Sequence, residues 1–181
     1  MKKIAIMMAD GCEEIEALTV VDMIRRYGKI EIVMVSISKD IYVTGSHNIK
    51  FMCDEEIDEV DFEEFDAIVL PGGMPGTNNL KASKTLISAL KKFKEEGKLL
   101  AAICAAPSVL GENNLTNGLK VTSYPGFEKS MLGATYLQDR VVRDGNVITS
   151  RGMGTAIDFA GEIIDYFEDG ASDAIKKSIM Y

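Results

Sequence analysis

The chain has 181 residues, 46% hydrophobic and 27% charged, with a formal net charge of −8. This is the composition of one soluble globular domain over residues 1–181, long enough to bury a full core. The acidic balance argues against nucleic acid and anionic membrane as main partners, and no apolar run approaches the length of a membrane span.

Met1-Lys2-Lys3 does not open a secretory leader, because the apolar run behind it meets Asp10 too soon. Three cysteines without paired spacing, Cys12, Cys53 and Cys104, suit a reducing cytoplasm rather than a disulfide framework. A single histidine, His47, and no C-x-x-C leave little material for a metal site.

Lys3 to Ala9 predicts a first buried strand, ended by the turn pair Asp10-Gly11. Glu13 to Tyr27 carries Ile15, Leu18, Val21 and Ile24 at threes, a helical stripe stopped by Gly28. That stripe turns Ile15 toward the core or a subunit contact. Ile30 to Ile37 reads as a second strand, and Tyr42 to Cys53 as a hairpin or edge pair around Gly45.

Asp54 to Asp66 holds nine acids among thirteen residues, a solvated and partly helical surface segment without calcium-loop spacing. Ala67 to Leu70 is a third buried strand, broken by Pro71-Gly72-Gly73, where two glycines let a backbone come close to a ligand. No phosphate-loop or dinucleotide-binding glycine pattern is present, so no nucleotide cofactor is expected. Ser83 to Glu96 is an amphipathic helix with Ser83 as N-cap and Gly97 as stop.

Leu99 to Ile103 is a short buried strand that runs into Cys104-Ala105-Ala106-Pro107. Pro107 suits the first turn of a helix, which puts Cys104 on a sharp strand-to-helix turn. A helix start favours a thiolate, so the Cys104 thiol is expected well below its free value. On these residues alone a buried structural cysteine is an equal reading.

Lys120 to Ser123, Tyr136 to Val142 and Asn146 to Ser150 read as strands. Ala156 to Phe167 is a helix with Thr155 as cap, and Asp173 to Met180 a short last helix. Alternating strands and helices predict an α/β fold whose mainly parallel sheet is covered on both faces. Asp10 to Glu16, Pro71-Gly72-Gly73 and Cys104-Ala105 then gather at the carboxyl ends of the strands, where ligands sit in such folds.

With these segments in place the chain resembles the ThiJ/PfpI superfamily, in its DJ-one branch, from about Lys3 to Phe167. The motifs are Gly11-Cys12-Glu13-Glu14-Ile15-Glu16, Val69-Leu70-Pro71-Gly72-Gly73, Ala102-Ile103-Cys104-Ala105-Ala106-Pro107 and Thr149-Ser150-Arg151-Gly152-Met153-Gly154-Thr155. The resemblance implies a flavodoxin-like three-layer sandwich with a nucleophile elbow, assembled as a homodimer. It implies Cys104 as nucleophile and redox-sensitive thiol, Glu16 as the acid beside it, and the N–H groups of Gly73 and Ala105 as an oxyanion site. Arg26 and His47 line up with family positions near the active site, one of them across the dimer, and with Gly72 and Tyr124 are candidate substrate or anion contacts. The Arg151 motif supports the turn below the cysteine.

Two departures from the family pattern bear on chemistry. Peptidase-like relatives carry a histidine directly after the cysteine, where this chain has Ala105. Other relatives carry one in a Thr-His-Pro segment, where this chain has Ser123-Tyr124-Pro125. No Cys–His dyad is legible, which speaks against peptidase and amidotransferase chemistry. Tyr124 is a poor base near neutral pH, and a packed aromatic is its plainer reading.

Two expectations stand side by side. One is a cofactor-independent enzyme on small reactive dicarbonyls or their adducts, with Cys104 attacking and Glu16 moving protons. The other is a redox-sensing, stress-response or chaperone-like dimer that works through oxidation of Cys104.

Overall fold

The computed structural model describes residues 1–181. Strand β1 (Lys2–Met8) leads to helix α1 (Glu14–Tyr27) and strand β2 (Ile30–Ser36). A small hairpin, β3 (Tyr42–Thr44) and β4 (Lys50–Met52), and the two-residue strand β5 (Glu55–Glu56) follow. After the acidic segment come β6 (Ala67–Leu70), α2 (Gly76–Ala82), α3 (Lys84–Glu95), β7 (Leu99–Ile103) and α4 (Pro107–Glu112). The chain ends with β8 (Lys120–Val121), β9 (Thr135–Tyr136), β10 (Val141–Asp144), β11 (Val147–Ser150), α5 (Ala156–Phe167) and α6 (Ser172–Ser178).

Seven strands form the central sheet in the order β10-β11-β7-β6-β1-β2-β5, and only the edge strand β10 runs antiparallel. Strand β1 shows why the sequence requires two covers. Ile4, Ile6 and Met8 pack on one side, while Ala5, Met7 and Ala9 pack on the other. This is the two-residue alternation of a pleated strand buried on both faces. On the first face α1 and α5 contribute Ala17, Val20, Ile24, Phe159 and Ile163. On the second face α2, α3 and α4 contribute Leu80, Leu90, Phe93, Val109 and Leu110. The result is the expected three-layer α/β sandwich.

The chain leaves β1 toward β2 on one side and returns to β6 and β7 on the other. The crevice above β1 and β6 is therefore the topological switch point, the natural ligand position in an open α/β sheet.

The structure corrects several readings of the sequence. The buried face of α1 is built by Ala17, Val20, Val21, Met23 and Ile24, whereas Ile15 is 50% exposed on the opposite side, which removes the core alternative for it and leaves the subunit contact. Thr155 stands at the N-cap position of α5 as expected, but its side chain makes no cap bond. Its hydroxyl instead meets Ser150 Oγ at 2.7 Å, takes the Gly152 N–H and bonds the Gly152 carbonyl, tying down the Gly152-Met153 turn. The strands predicted over Lys120 to Ser123 and Tyr136 to Val142 shrink to β8, β9 and β10. Helix α2 has no counterpart among the predicted elements.

The acidic segment forms β5 and two single helical turns, anchored by buried Ile57 and Phe65. Its carboxylates pair with lysines at the amino-terminal end of the sheet: Glu63 with Lys92, Glu64 with Lys3 and Asp66 with Lys2. No helix is long and apolar enough to cross a membrane.

Candidate active site

Cys104 follows β7 directly and takes a φ of 65°, a left-handed conformation uncommon for a residue with a side chain. Three hydrogen bonds hold it there. Its N–H donates to the Ser150 carbonyl at 3.0 Å, its carbonyl accepts from Tyr124 N–H at 2.8 Å, and Ala106 N–H closes the turn onto Ile103. Pro107 opens α4 as predicted. The strand, strained turn and helix form the nucleophile elbow, and strain held by its surroundings marks functional positions.

Glu16 sits in the first turn of α1 with 1% of its surface exposed. Its Oε2 accepts the Gly72 N–H at 2.9 Å, and its carboxyl lies within hydrogen-bonding reach of the Cys104 sulfur and the Met153 N–H. Burial pushes its pKa up to about 7, against the opposing pull of those donors. Near neutral pH the carboxyl thus exchanges its proton readily, which suits an acid–base role.

The Cys104 thiol is also pushed up, to about 12, first by burial and then by the Glu16 carboxylate. The N–H groups of Gly73 and Ala105, both aimed at the sulfur, pull the other way without prevailing. Burial and the neighbouring carboxylate thus work against the low thiol pKa expected from the helix start alone. Helix α4 is only 6 residues long, too short for its dipole to offset an anionic neighbour in a dry pocket. Ionising Cys104 requires passing its proton to Glu16, so the two groups titrate as a pair.

The glycines of the β6 loop are fixed by this packing. A β-carbon on Gly72 would lie 2.6 Å from the Cys104 β-carbon and 2.7 Å from Glu16 Oε2. Gly73 has a φ of 88°, and a β-carbon there would meet the Glu13 nitrogen at 2.3 Å. The Gly72 N–H is donated to Glu16. The N–H groups of Gly73 and Ala105 have no carbonyl acceptor and stay available beside the sulfur.

Arg26 and His47 do not join this cluster within the chain. Arg26 lies ten residues beyond Glu16 on α1, about 15 Å along the axis, and pairs with Asp22. His47 Nδ1 meets Glu14 Oε2 at 3.1 Å and Glu13 Oε2 at 3.3 Å, and these carboxylates raise its pKa. Tyr124 is 52% exposed, and its ring lies against Gly152.

Sequence reasoning passed over Glu14, which has 2% of its surface exposed. Its Oε1 accepts the His47 N–H at 2.8 Å and the Ile49 N–H at 3.4 Å. Burial alone would raise its pKa, but the hydrogen bonds lower it to about 2. Glu14 thus anchors the Gly45–Ile49 loop. Glu13, Glu14 and His47 bring donor atoms within 4.8 Å of one another, the one group close enough for a metal ion. Those atoms are already committed to one another, to Ser46 and to the loop backbone.

Burial pushes Cys12 and Cys53 up to about 12, and both lie inside the core, at 0% and 2% exposure. Cys104 is the one cysteine with partial access to solvent.

The fold is shared with solved structures over its whole length. An oxidized DJ-1 from Toxoplasma gondii superposes with a TM-score of 0.95 at 34% identity, covering 100% of this chain and 99% of that one. Drosophila melanogaster DJ-1beta superposes at 0.93 with 34% identity, covering 99% and 97%. Among sequences, a protein named a deglycase from Pyrococcus abyssi is 32% identical over 84% of this chain and 91% of its own length. The chain spans only 38% and 42% of two Arabidopsis thaliana DJ-1 homologues, which are 36% and 38% identical to it. Residues 2–166 match the DJ-1/PfpI family, and the chain belongs to that family.

Proposed function

We propose that this protein is a cofactor-independent cysteine enzyme acting on small reactive carbonyl compounds, of glyoxalase or deglycase type. The observation that carries the reading is the Cys104 sulfur, which faces one buried carboxyl and two free backbone N–H groups. Glu16 as carboxylate takes the thiol proton while the sulfur adds to an aldehyde carbon. A carbon–sulfur bond forms, the carbonyl π pair moves to oxygen, and that oxyanion is stabilised by the Gly73 and Ala105 N–H groups. Glu16 then returns the proton to the oxygen, leaving a neutral hemithioacetal. The deglycase name of the Pyrococcus abyssi relative supports this class.

Methylglyoxal consumption by the wild type beside Cys104→Ser tests it. Consumption that survives the substitution, or is absent in both, overturns the enzymatic reading.

A second reading draws on the same N–H groups, which fit a sulfinate oxygen as well as an alkoxide. A redox-sensing dimer would work through oxidation of Cys104, and the oxidized state named for the Toxoplasma gondii relative supports it. In both readings the chain acts as a homodimer in a reducing cytoplasm. The dimer is supported by the apolar groove of Ile15, Leu18, Ile49, Ile157 and Ile179.

A further inference from the structure

Beside Glu16 a groove of about 480 Å³ opens between the Tyr124-Pro125 segment and the turn from Arg151 to Thr155. Gly152 connects it to the reacting pair, since a β-carbon there would lie 3.3 Å from the Tyr124 ring and 3.8 Å from Glu16 Oε1. On a chain of net charge −8 this groove has no carboxylate in its wall, and two guanidinium groups line it.

The two arginines differ. Arg140 is neutralised by Asp158, at 2.8 Å from Nε and 2.7 Å from an Nη, and also donates to the Gly154 carbonyl. Arg151 is half-buried, forms no ion pair, and its side chain makes a single hydrogen bond, 3.3 Å from one Nη to the Gln138 carbonyl. Its charge acts on Glu128, but both oxygens of that carboxylate take the Gly126 N–H at 3.0 Å. A planar guanidinium with most of its donors free, in a short open groove that Tyr124 also lines, is suited to bidentate binding of a carboxylate.

We propose that Arg151 binds the carboxylate of the substrate, so that the site prefers short carbonyl compounds carrying a carboxylate, such as 2-oxo acids and oxoaldehyde acids, over neutral dicarbonyls. The inference rests on Cys104 as the reacting atom, but not on turnover. Tyr124 would then form the wall along which the carbon chain lies, with the carbonyl toward Cys104.

The test uses two reagents of equal reach and different charge. Iodoacetate and iodoacetamide each alkylate a thiolate, forming a carbon–sulfur bond and releasing iodide. Their rates at Cys104 are read by mass spectrometry in the wild type, Arg151→Gln and Arg151→Lys. Arg151→Gln should lower the iodoacetate rate about tenfold, the factor one charge-assisted hydrogen bond supplies, and leave the iodoacetamide rate unchanged. Arg151→Lys should restore part of the loss, because a point charge replaces the fork. An iodoacetate-to-iodoacetamide ratio equal in all three proteins overturns the proposal, as does a loss shared by both reagents. In parallel, kcat/KM for glyoxylate should fall in Arg151→Gln while that for methylglyoxal holds. If no carbonyl compound is consumed by the wild type but the alkylation ratio still falls, catalysis fails as a reading and carboxylate binding by Arg151 stands.

Discussion

The Gly72 N–H donates to Glu16 Oε2 at 2.9 Å, and a β-carbon added to Gly72 would lie 2.6 Å from the Cys104 β-carbon. One residue therefore sets the distance between the Glu16 carboxyl and the Cys104 side chain. Gly72→Ala has to displace one of them, because the added methyl would stand under 3.0 Å from both. Iodoacetamide labelling of Cys104 in this variant is expected to slow by at least the ~10²-fold associated with a misplaced acid–base partner. Labelling at the wild-type rate would show that the contact does not position the pair.

Glu16 also predicts a pH dependence. With its pKa at about 7, the pair holds two protons below that pH and one above it. Reactivity of Cys104 toward iodoacetamide should therefore rise through a limb near pH 7. In Glu16→Gln the thiol loses its proton acceptor, so the limb should move to higher pH and carbonyl turnover should fall by roughly 10²–10⁴. An unmoved limb would assign the titration to another group.

The same shift bears on stability. Glu16 ordinarily titrates at 4.5 and here at about 7, so ionising it in the folded protein is unfavourable. Its contribution is fully present below pH 4.5 and is lost as the pH rises through about 7. Glu16→Gln carries no such loss. Relative to the wild type, it should gain up to about 3 kcal/mol between pH 5 and pH 8, measured by urea unfolding. A constant difference between the two proteins across that range would contradict the burial argument.

Peroxide should discriminate sharply among the cysteines. Cys12 and Cys53 are enclosed in the core and held in their thiol forms, whereas Cys104 reaches solvent beside a proton acceptor. Mild peroxide is expected to add two oxygens to Cys104 alone, as read by peptide mass mapping. Comparable oxidation of Cys12 or Cys53 in folded protein would show that the core opens on the timescale of the reaction.

Ile15 tests the assembly. It is 50% exposed in a groove with Leu18, Ile49, Ile157 and Ile179, a face suited to a second copy. Light scattering at micromolar concentration should give a dimer for the wild type and a monomer for Ile15→Asp. A monomeric wild type would remove the dimer and any part for Arg26 or His47 across it.

Much of this architecture is legible in the residues. Buried strands announce themselves as apolar runs, and Ser83 and Pro107 mark helix starts by local chemistry that tertiary contacts do not override. The elbow at Cys104 is legible because few sequences tolerate a left-handed turn between a buried strand and a proline-led helix. Less legible is which acid of Glu13-Glu14-Ile15-Glu16 serves which purpose. Both Glu14 and Glu16 are buried, and only the distant Gly45–Ile49 and Gly72 backbones separate a loop anchor from a reacting carboxyl. The thiol's pKa misleads for a related reason. A helix start is a local feature, but burial and the Glu16 charge come from three strand ends meeting in space. Thr155 takes the N-cap position without a side-chain cap bond because Ser150 and Gly152 compete for its hydroxyl.

The pairing of Lys2 with Asp66, Lys3 with Glu64 and Lys92 with Glu63 gathers carboxylates at the opposite end of the sheet from the crevice. Strand β1 separates the two ends by 7 residues, about 23 Å of extended chain. The Debye length at physiological ionic strength is about 8 Å, so the field of that acidic end decays almost completely before it reaches the mouth of the groove. Within the groove Arg140 is offset by Asp158, so the unpaired Arg151 guanidinium is the local charge that an arriving anion would meet.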